Sequence, residues 1–157
     1  MRKYDELFYK DQVNTLPFMK LMGMKLVSAA GGKSVMRCTI RRALRNTAGT
    51  LHGGVMGALV DMSVATALRS VMPLSCRMTT VEYKVNFLKP VSGGTVTAYG
   101  TILRRGTTIA VGSTEIRNGE EEVVAFGSAT YYILKTPEKR NVPAIMGRTP
   151  GRGRKRG

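Results

Sequence analysis

One long apolar segment limits what this chain can fold into. Residues 53–72 carry hydrophobic or small side chains on every side of a helix, and Asp61 is the one charged residue between Gly53 and Leu68. A helix that is apolar all round is a buried helix, and Pro73 ends it because proline cannot continue the hydrogen-bonded ladder. The segment therefore predicts a single central helix that the rest of the chain must cover.

The rest of the chain predicts the sheet that covers this helix. Residues 3–22 favour one or two short helices, and residues 43–52 favour a loop. Hairpin turns are expected at Gly31-Gly32 and at Asn118-Gly119, and the last four strands are expected to form a meander. Alternating apolar and polar side chains indicate strands at 24–30, 34–42, 79–89, 95–104, 107–117 and 122–134.

This order of elements predicts an α+β fold, in which a curved antiparallel sheet wraps one long helix. One helix cannot fill both faces of such a sheet, so we expect self-association, most simply as a two-fold dimer. A length of 157 residues fits one domain, which we assign to residues 1–134. Residues 135–157 hold eight Lys or Arg against one Glu and are rich in Gly and Pro, so we expect a basic, disordered tail.

Composition excludes several classes of protein. The net charge of +15 favours a polyanionic partner, which could be nucleic acid, an acidic membrane surface or a phosphate-rich small molecule. Cys38 and Cys76 match no zinc or redox motif, and a single histidine excludes a His-rich metal site. The N-terminus lacks the features of a secretory or transit peptide, and no apolar stretch reaches the roughly 20 residues that span a bilayer. A soluble cytoplasmic protein without a membrane span is expected.

Asp61 is the first candidate for chemistry. A carboxylate on an apolar helix loses hydration unless something compensates, and such groups tend to mark functional sites. Gly53 and Gly54 open the same helix, where unpaired amides can stabilise an oxyanion, with Asn46 and His52 beside them. For Asp61, the structural alternatives are a carboxylate that caps a backbone amide and a helix face that is in contact with water. For the loop, the alternative is that the glycines merely permit tight packing while Asn46 and His52 satisfy backbone groups.

Spacing separates these two halves of the candidate site. Asp61 lies eight residues beyond Gly53, which is about 12 Å along a helix axis. A base must reach a water that lies about 3 Å from the reacting carbonyl carbon, so one helix cannot readily supply both groups. A two-fold dimer can, if Gly53 of one helix approaches Asp61 of the other.

The run NTAGTLHGGVMGALVDMSVATAL, residues 46–68, resembles the Asn-x-x-Gly-x-x-His-Gly-Gly…Asp signature of PaaI-like hotdog thioesterases. TTVEYKVNFLKPV and the hairpins up to residue 134 are similar to later strands of that family, so the resemblance covers roughly residues 5–134. It implies an acyl-CoA thioesterase with a single hotdog domain, acting as a homodimer or homotetramer. No cofactor is implied, because coenzyme A is part of the substrate.

The resemblance also implies roles for particular residues. The Gly53 N–H and Asn46 would polarise the thioester carbonyl, and His52 would lie beside the sulfur. Asp61 of the opposite subunit would act as general base or as nucleophile, and Thr80 would orient the water. Arg104, Arg105 and Gly106, at a hairpin tip, would approach the phosphates of coenzyme A. A solvated turn that protects a sheet edge is an equal interpretation of this tip.

Two other functions remain open. A non-catalytic hotdog could sense acyl-CoA while the basic tail contacts nucleic acid, although the intact Asp61 argues against pure sensing. A hotdog dehydratase would need a His–Asp or His–Glu pair, and His52 already belongs to the thioesterase motif. The acyl group is not legible, and a medium chain or a phenyl ring would both suit the methionines of the helix, Met56 and Met62.

Overall fold

The computed structural model describes residues 5–73 and 75–135, so the predicted tail lies outside the described residues apart from Lys135. Three α-helices, a short 3-10 helix (Arg42–Leu44) and six strands make up this part of the chain. The helices are α1 (Glu6–Thr15), α2 (Pro17–Leu21) and α3 (Gly53–Arg69). The strands are β1 (Met24–Ala30), β2 (Lys33–Thr39), β3 (Cys76–Phe87), β4 (Thr95–Arg105), β5 (Ile109–Arg117) and β6 (Val123–Lys135).

All six strands form one antiparallel sheet in the order β1-β2-β4-β5-β6-β3. The expected four-strand meander is therefore wrong in one respect. Strands β4, β5 and β6 do form a meander, but β3 lies at the far edge, against β6. The reason is that β2 already pairs with the side of β4 that β3 would need. Residues 88–94 therefore carry the chain from one side of the sheet to the other. In this segment the Val91 carbonyl oxygen accepts a hydrogen bond from the Leu51 amide at 2.7 Å.

Helix α3 packs directly on three glycines of the sheet, one each on β4, β5 and β6. A Cβ atom at Gly100 would lie 2.6 Å from the Ser63 carbonyl oxygen, and one at Gly112 would lie 2.6 Å from Val64. At Gly127 the distance to Val60 would be 2.7 Å. These contacts are closer than any side chain allows, so the glycines set how deeply the helix sits.

Hydrogen bonds between buried hydroxyls hold the helix in place on the sheet. Ser63 and Thr114 share a hydrogen bond of 2.6 Å between their hydroxyls, and the Ser34 hydroxyl donates to the Ser63 carbonyl oxygen at 2.7 Å. All three side chains are buried. Because a buried hydroxyl is costly unless it is bonded, the network favours one position of the helix over its neighbours.

The two edges of the sheet differ. On the β1 edge, the Asn14 side chain of α1 bonds both the N–H and the carbonyl oxygen of Leu26, and Glu6 accepts from the Ala29 N–H. On the β3 edge no described element covers the strand, and Val81 and Phe87 are 59% and 58% exposed. An uncovered edge with large apolar side chains is a template for pairing with another strand.

A bulge at Val81 changes which side chains of β3 face the helix. The register against β6 shifts between Thr80 and Glu82, so the simple alternation expected over residues 79–89 is wrong. Thr80 reaches Asp61, and beyond the bulge Tyr83 and Phe87 lie against Gly57 and Gly53 of α3. Residues predicted to point to opposite faces therefore meet the same helix.

The Asn118-Gly119 hairpin forms as expected, but by another turn geometry. The Asn118 side-chain oxygen accepts from the amides of Glu120 and Glu122, and Glu121, not Gly119, has the left-handed backbone conformation, with a φ of 60°. In the described ranges, no helix has the length and apolar character that crossing a membrane requires.

Candidate active site

Asp61 lies in the middle of α3 and turns toward strands β3 and β6. The Thr80 hydroxyl donates to Asp61 Oδ1 at 2.9 Å. The Tyr131 hydroxyl forms a very short hydrogen bond to the same oxygen and lies 2.7 Å from the backbone carbonyl oxygen of Asp61. The structure thus brings Thr80 next to Asp61 and adds Tyr131, which sequence reasoning missed.

The carboxylate is held on one side. Its other oxygen, Oδ2, has no hydrogen-bond donor within the described part of the chain, and the residue is only partly buried. A carboxylate oxygen without an internal partner can accept a proton from water or attack a carbonyl carbon. The site therefore has a carboxylate whose orientation is fixed through Oδ1 and whose Oδ2 is available to water or to a substrate.

The N-terminus of α3 forms the second half of the site. His52 caps the helix, because its Nδ1 accepts from the Gly54 N–H at 2.9 Å. A neutral imidazole whose Nδ1 accepts carries its proton on Nε2, so the exposed ring offers an N–H to a ligand. The Gly53 N–H has no acceptor among the described residues and is an available donor at the positive end of the helix dipole.

Asn46 organises the loop that leads to this helix. Its Oδ1 accepts from the amides of Ala48 and Thr50, and its Nδ2 donates to the Thr50 hydroxyl at 2.9 Å. These bonds support the structural interpretation of Asn46. The bond to Thr50 uses one of the two Nδ2 hydrogens. Because Asn46 also lines a cleft, the second hydrogen is available to a ligand.

A cleft of about 320 Å³ lies at the N-terminus of α3. Phe87 closes on Gly53, and a Cβ at this glycine would lie 3.0 Å from the ring. The cleft has mostly apolar walls with a few polar groups, an arrangement that suits a small organic ligand. Its walls are Asn46, Thr50, Leu51, Gly53, Met56, Phe87, Leu88, Lys89 and Pro90.

Within one chain the two halves do not meet. Asp61, Thr80 and Tyr131 are absent from the walls of the cleft, and α3 is continuous from Gly53 to Arg69. Eight residues of helix separate Gly53 from Asp61, which is about 12 Å along the axis.

The hairpin tip Arg104-Arg105-Gly106 lies beside the C-terminal end of α3. Arg105 donates to the Val71 carbonyl oxygen at 2.6 Å, and the Gly106 N–H donates to Ile109 at 2.8 Å. A cation at this end of a helix stabilises its dipole. Two of the three groups that were expected to meet phosphates thus have internal partners, and Arg104 is exposed.

Tyr131 carried no signal in the sequence that linked it to Asp61. It is one of several alternating residues in the last strand, and its neighbour Tyr132 is chemically identical. Burial raises the pKa of Tyr131 well above its ordinary value, and the hydrogen bond with Asp61 raises it further. The phenol therefore keeps its proton at neutral pH and acts as a donor.

Comparison with known proteins identifies the family. A family model described as the thioesterase superfamily matches residues 48–125, which include His52, Gly53, Asp61 and Thr80. Residues 48–125 of the chain belong to the thioesterase superfamily. Membership of this superfamily supports hydrolase activity on a thioester, and the predicted resemblance to hotdog thioesterases is confirmed.

Individual relatives agree with this assignment. Acyl-coenzyme A thioesterase 13 of Pongo abelii is 28% identical over 121 residues, covering 74% of this chain and 84% of that protein. The medium/long-chain acyl-CoA thioesterase YigI of Escherichia coli is 31% identical over 96 residues, covering 53% of this chain and 62% of YigI. The structure of PaaI from the phenylacetic acid degradation operon of E. coli is 23% identical, with a TM-score of 0.72 over 80% of this chain and 91% of PaaI. The last comparison confirms the hotdog fold.

Proposed function

We propose that this protein is an acyl-CoA thioesterase, in which Asp61 of one subunit acts on a thioester bound at the Gly53 end of the other. The observation that carries the proposal is the Asp61 carboxylate, which has Oδ1 bonded to Thr80 and Oδ2 without an internal partner. In a thioesterase such a group supplies the base or nucleophile that hydrolysis needs.

The reaction follows from the available donors and acceptors. Water attacks the thioester carbonyl carbon while Asp61 Oδ2 takes one of its protons, and the Gly53 N–H stabilises the oxyanion. The free amide hydrogen of Asn46 is a second donor. When the C–S bond breaks, the His52 Nε2–H stabilises the departing thiolate by a hydrogen bond. The thiolate takes its proton from the protonated Asp61, directly or through a water, and Asp61 is ionised again. Direct attack by Asp61, through an acyl anhydride that water then hydrolyses, uses the same atoms. Neither route calls for a cofactor or a metal.

The uncovered edge of β3 supports a site that two subunits share. The open β3 edge and the half-exposed Tyr83 and Phe87 suit a second copy of the chain, because pairing of identical edges gives a two-fold dimer. Tyr83 and Phe87 also contact α3 at Gly57 and Gly53. Burying this edge would bring a second α3 beside the first.

The test of the proposed activity is the release of free thiol from a panel of acyl-CoAs with short, medium, long and aryl acyl groups. We expect turnover on at least one class, and the preferred class names the acyl group that the apolar cleft accepts. Acyl-CoA binding without thiol release would contradict the enzyme and favour the sensor. The sensor depends on the basic tail, which lies outside the described residues.

Mixing two inactive variants tests whether the site is shared between subunits. Gly53→Val blocks the approach of a carbonyl to the helix end, because its side chain would meet Phe87, and Asp61→Asn removes the base. In a random mixture half of the dimers are mixed and each has one intact site, so we expect about a quarter of wild-type activity.

Subunits must exchange for this result, so both variants are mixed unfolded and refolded together, with each variant refolded alone as control. Activity that stays at the level of the single variants would contradict a shared site.

A further inference from the structure

A second hydroxyl in the site goes beyond the residues that the sequence singled out. Tyr131 is 2% exposed, and its hydroxyl lies within hydrogen-bond distance of both the side chain and the backbone carbonyl oxygen of Asp61. The phenol hydroxyl of Tyr131 thus lies between the side chain and the backbone carbonyl oxygen of Asp61 and links the two. Asp61 is thereby restricted to one rotamer.

The sheet pairs this hydroxyl with the one on β3. Tyr131 is the register partner of Thr80, so the two donors lie side by side on adjacent strands and converge on Asp61 Oδ1. The bulge at Val81 follows immediately and allows Thr80 to face the helix together with Tyr83. Two neighbouring strands thus each provide one hydrogen-bond donor to the same carboxylate oxygen.

We propose that Tyr131 is a positioning residue for hydrolysis, which holds Asp61 Oδ1 together with Thr80 so that Oδ2 alone meets the reacting water or carbonyl. This inference rests on the proposed function. Tyr131 does not touch the substrate in this arrangement. It acts by orienting the carboxylate, through a hydrogen bond to a charged group that is stronger than one between neutral groups.

Few other titratable groups face this pair. From α1, Tyr9 lies close enough to Tyr131 to interact with it electrostatically. Burial raises the pKa of Tyr9 to about 12, while Arg69, in the last turn of α3, opposes the rise. From β3, Glu82 accepts from Thr130, whose side chain lies on the other face of the sheet from Tyr131. Asp61 is therefore the acidic group of this cluster that loses a direct hydrogen bond when the Tyr131 hydroxyl is removed.

The expected effect is on kcat more than on KM. Without the Tyr131 hydroxyl, Asp61 Oδ1 keeps only the Thr80 donor, so the carboxylate is less often in the orientation that presents Oδ2 to the reacting group. A group that acts in the chemical step affects kcat, whereas substrate binding is hardly changed. A loss of packing would instead lower thermal stability and affect KM as well.

Tyr131→Phe removes the hydroxyl and keeps the ring. We expect kcat at neutral pH to fall about ten- to a hundredfold, the range for a lost hydrogen bond to a charged group, and KM to change less than about twofold. Tyr132→Phe is the matched control, because this neighbour is 40% exposed and its side chain points to the other face. The control should match the wild type in kcat and KM.

A direct observation of the carboxylate separates this inference from the proposed activity. The chain has three aspartates, Asp5, Asp11 and Asp61, so ¹³C labelling of aspartate side chains gives three carboxyl signals, and Asp61→Asn identifies one of them. At neutral pH the chemical shift of the Asp61 signal should change in Tyr131→Phe and stay the same in Tyr132→Phe. Should the phenylalanine variant fail to fold, 3-fluorotyrosine at position 131 keeps the hydroxyl, makes it a stronger donor and should move the Asp61 signal in the opposite direction.

The outcomes are distinguishable. An active wild type whose Asp61 signal is the same in Tyr131→Phe overturns the role of Tyr131 and leaves the thioesterase intact. A loss that appears in KM rather than in kcat also overturns it. A wild type without turnover on any thioester, or full activity of Asp61→Asn, overturns the proposed function and with it this inference.

Discussion

Asp61→Asn is expected to lower kcat by about 10²–10⁴-fold, the usual contribution of a general base, while the protein stays folded. The amide has the same shape as the carboxylate, and its oxygen can still accept from Thr80 at the position of Oδ1. It cannot take a proton from water or attack a carbonyl carbon. The loss should therefore appear in kcat and hardly in KM.

The measurement is thiol release on the preferred acyl-CoA, with thermal unfolding of the same samples. Asp11→Asn is the matched control, because Asp11 is exposed on α1 and the same atom is exchanged. Near-normal turnover of Asp61→Asn would remove Asp61 from the mechanism. Equal losses in both variants would indicate a general effect of charge on a protein that carries +15.

The central helix could be predicted from the sequence because its signals are local. Apolar side chains on all sides, Gly53 at one end and Pro73 at the other predicted residues 53–72, and the structure has α3 at Gly53–Arg69. The strands were predicted to within a few residues for the same reason, since alternation is read from neighbours in the chain. The hotdog architecture then followed from the resemblance.

The position of β3 could not be read from the sequence. Alternation reports which residues share a face, but it carries no information on which strand lies alongside. The pairing of β3 with β6 depends on β2 having taken the side of β4. The bulge at Val81 is a shift of one residue, and it reverses the inward and outward faces for the rest of the strand.

Part of the candidate site was legible for a related reason. Gly53, His52 and Asp61 lie on or next to one helix, so their spacing along the chain fixes their spacing in the fold. Tyr131 is 70 residues from Asp61 in the chain and meets it only through the sheet. Arg105 looked like a ligand for phosphate, but its contact with Val71 arises from the packing of the hairpin against the end of α3.

Gly100→Ala is expected to lower the free energy of unfolding by about 3 kcal/mol, near the upper end for an overpacked core. The new methyl group would lie 2.6 Å from the Ser63 carbonyl oxygen and 2.7 Å from the Ser34 hydroxyl. The first of these is backbone and cannot turn aside, so α3 must move away from the sheet. The hydrogen bond from Ser34 to Ser63 would be strained or lost, which adds to the cost.

Denaturant unfolding at one fixed protein concentration measures this change, because the stability of the proposed dimer would depend on concentration. Gly119→Ala is the matched control, since no atom lies within 4 Å of its Cβ position and this glycine has an ordinary backbone conformation. A loss in Gly100→Ala no greater than in the control would mean that the sheet can yield beneath α3. Since the same helix carries both Gly53 and Asp61, a helix displaced but still folded should also lose thioesterase activity, even though position 100 touches neither residue.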